Sequence, residues 1–512
     1  MDIIKNFDLP LIKNNVYGEA DATLKYVDGI VFVENRKEKY SSLAIHVDKI
    51  LGAKEAYQAN AKMKLKEGSK DTSFTIIHKY TINYLDLEYT MYNISASRML
   101  TDKDWTDFSL RLEIPTGAKI ISVINYFIQQ GNLDTLPDVL VKEFIIEEAE
   151  VSQTVADATI TPITPQKEFT FGAIRWDAYM ETGLSKSFVS DQVARSLSPK
   201  EFHKMAPFFT KVIDENKVAF PAETQEQFDK EACLAIDAGI DYFAYCWYAD
   251  DNPMSYARKQ HLTSKYKDGI KMSAMVGVNK LDEKSVKSLG EVFKESCYLR
   301  FDNRPVVFLY DAFKIEASLI NAIKASAKNA GVKEELYLIG MAGVCSPFIV
   351  NTFIKKGINA ISAYACGSVA QTKDFNAHAQ MTLKQNQSQY DFYKNIDVIP
   401  LVTCGRNASP RAKNPVTWAG DYNGRCSESP TGEELYTHAL EVFEKIHSDR
   451  EKNVPFSAIA YAWNEHDEGG WCCPTLTVDE NGMPVKDENG GNAMDTTYLD
   501  ALAKALKEIR KK

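Results

Sequence analysis

Cysteine is scarce in most of this sequence: all nine cysteines lie after residue 230. An odd number of cysteines without a C-x-x-C pair gives no regular disulfide framework and no zinc signature. Most of the cysteines lie in apolar segments, where a buried free thiol is the usual state. Cys472 and Cys473 are adjacent, so a vicinal disulfide between them stays open.

Excess basic charge and long apolar runs are also lacking. The formal charge of −10 and the pI near 5.5 argue against a nucleic-acid partner, which requires a basic face. No apolar run approaches the ~20 residues of a membrane-spanning helix. The start, MDIIKNFDLP, lacks the basic and apolar parts of a signal peptide. Either the protein is intracellular or a leader has been removed.

What the sequence does contain is typical of globular domains, with 45% hydrophobic and 25% charged residues over 512 positions. A chain of this length is expected to form more than one domain. In residues 1–150, Phe108, Leu110, Leu112 and Ile114 alternate with polar residues, which is the pattern of a strand with one wet face. Many such short runs without helices between them predict a β-sandwich. The Thr- and Pro-rich residues 151–168 are expected to be a linker.

From residue 169 to 512, apolar strand patterns alternate with amphipathic helix patterns. The predicted strands span residues 169–175, 240–247, 270–277, 304–310, 336–342, 358–364, 398–404 and 457–463. Thr431 with Glu434, and Ser198 with Pro199 and Glu201, are expected to begin helices with capping boxes. Eight strand–helix units predict a (β/α)₈ TIM barrel. An open doubly wound sheet is the alternative, but no Gly-rich phosphate loop follows the first strand.

The stretch that organises the C-terminal part is FSAIAYAWNEHDEGGWCCPT, residues 456–475. Its apolar run has the composition of a buried parallel strand, and polar residues follow at once. Glu465 and Glu468 lie three residues apart beside two glycines and two tryptophans. Because catalysis in a TIM barrel takes place at the carboxyl ends of the strands, we expect both glutamates to be catalytic.

Other chemically active residues follow the predicted strand ends and are expected to bind substrate. They are Arg175, Trp176, Asp177, Tyr179, Tyr245, Trp247, Tyr248, Asp250, Tyr310, Asp311, Tyr364, Arg406, Asn464, His466 and Trp471. Aromatic rings together with carboxylates and a few arginines suit a polyhydroxylated, largely uncharged ligand. Cleavage of a glycosidic bond also needs two carboxyl groups, one protonated and one ionised. His466 and Asp467 could ligate a metal, but no second cluster exists, so neither a metal nor a cofactor is expected.

Three segments resemble glycoside hydrolase family 99 and the related WbsX-type glycan-synthesis proteins. They are FGAIRWDAY, AIDAGIDYFAYCWY and AWNEHDEGG, and the similarity spans about residues 169–475. The resemblance implies cleavage of α-mannosides with retention. It implies that Glu465 deprotonates the substrate's own 2-hydroxyl and that Glu468 is the general acid and base. His466 stands where the family usually has an aromatic residue.

In the N-terminal part, AKMKLKEGSKDTSFTII, TDKDWTDFSLRLEIP and DVLVKEFIIEE resemble jelly-roll carbohydrate-binding modules of the family 4 and 9 type. Trp105 is then expected in the core, and Tyr80, Tyr84, Tyr89 and Tyr92 are candidates for stacking on sugars. The implied partner is an oligosaccharide or polysaccharide. Secretion, the periplasm or the cell surface is expected, with the cytoplasm as the alternative. A non-catalytic glycan-binding protein and a glycan-assembly enzyme stay open as alternatives to a hydrolase.

Overall fold

The structure, a computed structural model, describes most of the chain. The described residues are 2–4, 12–13, 22–39, 41–46, 56–84, 87–95, 97–114, 118–130, 135–150, 160–183, 188–277, 281–312, 315–343, 345, 347–366, 374–418 and 427–512. The chain divides into two compact units, residues 1–155 with 346–348 and residues 156–345 with 349–512. Each unit is described by itself.

The N-terminal unit is strand-rich. Its strands are β1 (Asp2–Ile4), β2 (Ile12–Lys13), β3 (Thr23–Val27), β4 (Ile30–Glu34), β5 (Ala44–His46), β6 (Ala56–Leu65), β7 (Thr72–Tyr84), β8 (Leu87–Ile94), β9 (Arg98–Leu100), β10 (Thr106–Glu113), β11 (Lys119–Gln130) and β12 (Val139–Glu148). They form two antiparallel sheets, β10-β6-β12-β4-β3 with β1 on β12, and β2-β5-β11-β7-β8 with β9 on β7. The arrangement is sandwich-like, and Phe108, Leu110 and Leu112 of β10 are buried as their alternation predicts.

One of the tyrosines proposed for stacking on sugars in this unit is buried. Tyr80 is only 2% exposed, so its ring is part of the core and offers no face to a sugar. The side chains of Tyr84, Tyr89 and Tyr92 lie outside the described residues. Trp105 was expected in the core but is only half-buried, and the ammonium groups of Lys64 and Lys142 lie 5.3 and 5.7 Å from the centre of its ring.

The C-terminal unit alternates strands and helices. Its strands are β13 (Thr170–Arg175), β14 (Lys211–Asp214), β15 (Lys217–Ala219), β16 (Tyr242–Cys246), β17 (Lys271–Val276), β18 (Arg300–Phe301), β19 (Arg304–Leu309), β20 (Tyr337–Met341), β21 (Ala360–Ser362), β22 (Asp397–Val398), β23 (Leu401–Thr403), β24 (Ser457–Tyr461), β25 (Asn464–Glu465), β26 (Gly470–Trp471), β27 (Thr475–Leu476) and β28 (Met494–Asp495). Its α-helices are α1 (Phe188–Leu197), α2 (Gln225–Asp237), α3 (Tyr256–Thr263), α4 (Glu283–Val292), α5 (Ala317–Asn329), α6 (Pro347–Lys355), α7 (Phe375–Tyr390), α8 (Ser409–Lys413), α9 (Gly432–Ser448) and α10 (Thr497–Ile509). Short 3₁₀-helices span Lys200–Met205, Pro253–Ser255, Arg450–Lys452 and His466–Glu468.

A parallel sheet of the TIM-barrel kind forms the centre of this unit. Its strand order is β22-β21-β20-β19-β17-β16-β13-β24-β23, with β18 antiparallel beside β19. Each of the eight predicted strand segments contains an observed strand, and the seventh is divided into β22 and β23 by Ile399 and Pro400. β22 pairs with β21 and β23 pairs with β24. The two ends of the strand order therefore belong to one stretch of chain.

The helix beginnings show one confirmed prediction and one error. Thr431 and Glu434 form a complete capping box at the start of α9. Ser198 does not cap a helix, because its hydroxyl donates to the carbonyl of Ala194 (2.8 Å) and accepts from the backbone N–H of Val218 (3.2 Å). The segment after it forms the 3₁₀-helix Lys200–Met205 without a side-chain cap.

Two further observations concern the described residues. No helix among them is long and apolar enough to cross a membrane. Cys472 and Cys473 are both buried free thiols, so they do not form a vicinal disulfide.

Candidate active site

A cavity of about 160 Å³ lies at the carboxyl ends of the parallel strands. It is lined by Trp176, Cys246, Tyr248, Met275, Gly277, Tyr310, Tyr364, Arg411, Trp418, Glu465 and Glu468. Most of these residues follow or end β13, β16, β17, β19, β21 and β24. Because the carboxyl ends of parallel strands meet at one edge of such a sheet, separate strands contribute to a single pocket. The two glutamates singled out in the sequence lie in the same cavity.

A tight turn places both glutamates there. Asn464–Glu465 pairs antiparallel with Gly470–Trp471, and one turn of 3₁₀-helix, His466–Glu468, connects them. Gly469 closes the turn at φ 79°, in the left-handed region. A Cβ atom at this position would lie 2.1 Å from the backbone nitrogen of Asn407, so glycine is required by both backbone conformation and space.

Glu468 is surrounded by groups that stabilise its ionised form. Its carboxylate accepts hydrogen bonds from the guanidinium groups of Arg406 and Arg411 and from the hydroxyl of Tyr461. Burial alone would raise the pKa of Glu468, but the two arginines outweigh burial and lower it to about 2. Glu468 is therefore a carboxylate throughout the physiological pH range.

Glu465 lies in a different environment. It is 3% exposed, and one carboxyl oxygen accepts a hydrogen bond from the hydroxyl of Tyr364. The other oxygen has no hydrogen-bond partner among the described residues, and Nη2 of Arg411 is 3.9 Å from it. Burial, followed by the negative charge of Glu468, raises the pKa of Glu465 to about 8. At neutral pH the pair therefore consists of one protonated carboxyl group and one carboxylate.

Arg411 connects these groups and was missed in the sequence. Its Nε lies 2.6 Å and its Nη2 3.0 Å from the two carboxylate oxygens of the fully buried Asp467. Its guanidinium carbon is 5.5 Å from the ring centre of Trp176 and 5.8 Å from that of Trp418. Arg411 lies on α8 rather than at a strand end. The available signal was its position five residues after Arg406 in the same loop.

Several predicted substrate-binding residues are brought to the cavity. Trp176, Tyr248, Tyr310 and Tyr364 line it. The indole N–H of Trp176 donates to the hydroxyl of Tyr248 (3.0 Å), which orients both rings. Tyr310 and Tyr364 contact each other edge to face with their ring centres 4.8 Å apart.

Other predicted substrate-binding residues lie outside the cavity lining and contact the residues or the backbone around it. The side-chain oxygen of Asn464 accepts from the backbone N–H of Trp176 (2.8 Å). The hydroxyl of Tyr179 accepts from the backbone N–H of His466 (2.9 Å). The His466 ring lies 5.6 Å from that of Trp471, and burial lowers the pKa of His466 to about 3, so its ring is neutral. Trp471 lines a separate cavity of about 560 Å³.

Arg175 and Asp177 are buried in a polar cluster and do not line the cavity. Nε of Arg175 is 2.8 Å from Asp177, and its Nη1 is 2.9 Å from Glu231 of α2. Glu223 lies 3.9 Å from the same guanidinium. Arg175 is 2% exposed, and its guanidinium group is surrounded by these carboxylates. The cluster is a structural core of charged groups.

Tyr245, Trp247, Asp250 and Asp311 also lie outside the cavity lining. The hydroxyl of Tyr245 is hydrogen-bonded to His261 (2.9 Å). Trp247 is fully buried, with the guanidinium carbon of Arg258 4.1 Å from its ring centre, and Asp250 forms an ion pair with the same arginine. Asp311 lies in the turn after β19.

In the described part of the chain, no group of three or more His, Cys, Asp or Glu side chains is arranged to hold a metal ion. His466 donates or accepts through Nδ1 with the carbonyl of Met205, and Asp467 binds Arg411, so neither points to a shared ligand site.

Comparison with known proteins gives distant structural likenesses. No family model matches the chain, and no curated protein matches it. A GH99 endo-α-mannosidase from Bacteroides thetaiotaomicron has 16% identity and a TM-score of 0.43, covering 67% of this chain and 97% of its own. The CBM22-1 xylan-binding domain of Paenibacillus barcinonensis Xyn10C has 13% identity and a TM-score of 0.22, covering 30% of this chain and 97% of its own.

A two-module protein is also among the similar structures. The CBM22-1-GH10 modules of Clostridium thermocellum xylanase 10B have 12% identity and a TM-score of 0.28, covering 98% of this chain and 96% of their own. These neighbours include carbohydrate-binding modules of family 22, and the family 4 and 9 type expected from the sequence is not confirmed. At TM-scores below 0.5, none of these likenesses assigns an activity to the chain, so a functional assignment depends on the geometry of the site itself.

Proposed function

We propose that the C-terminal unit is a glycoside hydrolase in which Glu465 and Glu468 cleave a glycosidic bond. The observation that carries the proposal is the pair itself: two carboxyl groups in one cavity lined by aromatic rings, with the pKa of Glu465 raised and that of Glu468 lowered by their different surroundings. Glycoside cleavage needs this combination, because the leaving oxygen must receive a proton while the anomeric carbon develops positive charge. The proposal includes closure of the parallel sheet into a complete (β/α)₈ barrel through β22 and β23.

The contacts of the pair favour particular roles. In the proposed mechanism, Glu465 holds the proton at neutral pH and gives it to the leaving oxygen. Glu468 stays ionised and attacks the anomeric carbon, forming a glycosyl ester as the bond to the leaving oxygen breaks. Water activated by the Glu465 carboxylate then releases the sugar and restores the proton. A carboxylate whose pKa lies near 2 is a weak base, so the general-acid role that the resemblance implies for Glu468 is disfavoured.

The finer parts of the proposal concern the substrate and its location. The three segments that resemble family 99 favour α-mannosides or related glycans and a retaining outcome. We propose residues 1–150 as a carbohydrate-binding domain, 151–168 as a linker and 169–512 as the catalytic domain. A polysaccharide-degrading enzyme of this kind is expected to act outside the cytoplasm, in the periplasm, at the cell surface or after secretion.

The pH dependence of the reaction follows from the proton on Glu465. Its pKa is raised to about 8, so the reactive protonated form is present below pH 8 and is lost as the pH rises through that value. We expect kcat/KM to fall about tenfold per pH unit above pH 8. At low pH, we expect kcat/KM to fall only near the low pKa of Glu468, where this carboxylate becomes protonated. A steady rise in kcat/KM from pH 7 to pH 10 would contradict this assignment.

A screen for released products tests the function. Wild-type protein is incubated with α-mannans and other neutral glycans, and the anomeric configuration of the first product is followed by NMR. The double variant Glu465→Gln/Glu468→Gln is expected to release nothing. Glu433→Gln changes an exposed glutamate in the first turn of α9 and is expected to keep wild-type activity.

Two other outcomes of this screen identify the alternatives. Tight oligosaccharide binding without any product over days would show a non-catalytic glycan-binding protein. Product formation that requires an activated sugar donor would show a glycan-assembly enzyme. Either result would overturn hydrolysis as the function of the site.

A further inference from the structure

We propose that Trp418 is a stacking platform for a neutral pyranose ring at the mouth of the cavity. The inference rests on the proposed function and names the kind of group that the site recognises beside the two glutamates. Trp418 lines the same cavity as Glu465 and Glu468, yet 43% of its surface is exposed. The rings deeper in the cavity are more buried: Trp176 is 8% exposed and Tyr364 is half-buried. An indole that combines cavity lining with an open face is suited to contact a bound ligand.

The platform is fixed in place before any ligand binds. The ring centre of Trp418 lies 6.0 Å from that of Trp176 at an interplanar angle of 64°, so an edge-to-face contact sets its orientation. Thr417 precedes Trp418 and forms two hydrogen bonds with Gln192. The backbone N–H of Thr417 donates to Oε1 of Gln192 (2.7 Å), and the side-chain amide of Gln192 donates to the Thr417 hydroxyl (3.1 Å). Nη2 of Arg195 donates to the carbonyl of Pro415 (2.6 Å). Side chains of α1 thus hold the segment that carries Trp418, which limits the entropy lost when a ligand binds.

The charges around Trp418 indicate that the stacked group is neutral. The guanidinium of Arg411, beside the indole, binds the carboxylates of Asp467 and Glu468. Arg406 likewise binds Glu468. An anionic sugar would have to compete with these buried carboxylates for Arg411 and Arg406. The apolar C–H face of an uncharged pyranose meets no such competition and can stack on the indole.

Steady-state kinetics and binding test the platform. Trp418→Ala is expected to raise KM for a neutral oligosaccharide substrate roughly tenfold while kcat changes less, and Trp418→Phe is expected to restore most of the affinity. Calorimetric titration of mannotetraose and a panel of neutral oligosaccharides into Glu465→Gln, with and without Trp418→Ala, should show the same loss of affinity. Tyr256→Ala removes an aromatic residue that is 48% exposed on α3, outside the cavity lining, and is the matched control.

The results distinguish failure of the proposed stacking role of Trp418 from failure of the proposed hydrolysis. If Trp418→Ala leaves KM and Kd within twofold of the parent values, the platform is wrong while hydrolysis stands. If wild-type protein binds these saccharides through Trp418 but releases no product, hydrolysis is wrong while the platform stands. If no neutral saccharide binds the wild-type protein, or if Tyr256→Ala weakens binding equally, the platform is also wrong.

Discussion

Glu468→Gln is expected to lower kcat/KM by roughly 10²-fold or more on natural glycans and on aryl glycosides with good leaving groups alike. The reason is that in the proposed mechanism Glu468 acts at the anomeric carbon, a step that every substrate requires. Glutamine keeps the size of the side chain but removes the negative charge that Arg406, Arg411 and Tyr461 hold in place. Activity is measured on both substrate classes, and Glu433→Gln again controls for the loss of a carboxylate elsewhere.

Glu465→Gln should behave differently on the two substrate classes. It removes the proposed proton donor, so cleavage of a natural glycan is expected to fall by a similar factor of roughly 10² or more. A dinitrophenyl glycoside needs no proton on its leaving oxygen, so formation of the glycosyl ester should remain fast. The reverse pattern, with Glu468→Gln active on the activated substrate and Glu465→Gln inactive, would favour the roles that the family 99 resemblance implies.

Arg411→Met is expected to have the second largest effect, on both stability and the pH profile. It leaves the buried Asp467 without its ion-pair partner, so the free energy of unfolding should fall by about 3–5 kcal/mol, measured by urea denaturation. Glu468 keeps Arg406 but loses one of the two cations that lower its pKa. Since the proposed mechanism requires an ionised Glu468, the acid limb of kcat/KM should move to higher pH, and activity should be lost at less acidic pH than in the wild type.

Arg175→Met is the matched control for this change. Arg175 is as buried as Arg411 and also binds two carboxylates closely, so its loss should destabilise the fold by a similar amount. It does not touch Glu465 or Glu468, and the acid limb should stay where it is in the wild type. If the methionine variants do not fold, Arg411→Lys and Arg175→Lys retain the charge without the planar fork. An acid limb that is unchanged in both Arg411 variants would contradict the role of Arg411.

The sequence was informative about strands and about the turn that carries Glu465 and Glu468. Each predicted strand contains an observed one because buried parallel strands are short continuous apolar runs with polar residues at their ends. The break at Ile399–Pro400 follows from proline, which lacks a backbone N–H for the ladder. Glu465 and Glu468 could be singled out because they lie three residues apart in one short turn, so a local sequence pattern shows them together.

The alternation of side chains along a strand separates the strand-end residues that line the cavity from those that do not. Cys246 and Tyr248 line the cavity, while Tyr245 and Trp247 pack away from it. Trp176 lines the cavity. Its two neighbours in the sequence, Arg175 and Asp177, do not line it and bind each other instead. Successive side chains of a strand point to opposite faces. The inward-facing core residues Ile174, Ala244 and Phe308 therefore indicate which strand-end residues continue into the cavity.

Arg411 and Trp418 could not be placed from the sequence. Both follow β23 in a long connection, and no periodic pattern relates them to the strand ends. Their positions depend on contacts with residues far away in the chain, Asp467 for Arg411 and Gln192 for the segment of Trp418. Such contacts are fixed by tertiary packing, which local patterns do not encode.

The central claim is that Glu465 is protonated and Glu468 ionised at neutral pH. Infrared difference spectroscopy between the wild type and Glu465→Gln tests it without a known substrate. We expect the carbonyl stretch of one protonated carboxylic acid to be present in the wild type at pH 7, absent in Glu465→Gln, and lost from the wild type on titration through about pH 8. A wild-type spectrum at pH 7 that shows no such band relative to Glu465→Gln would contradict the account.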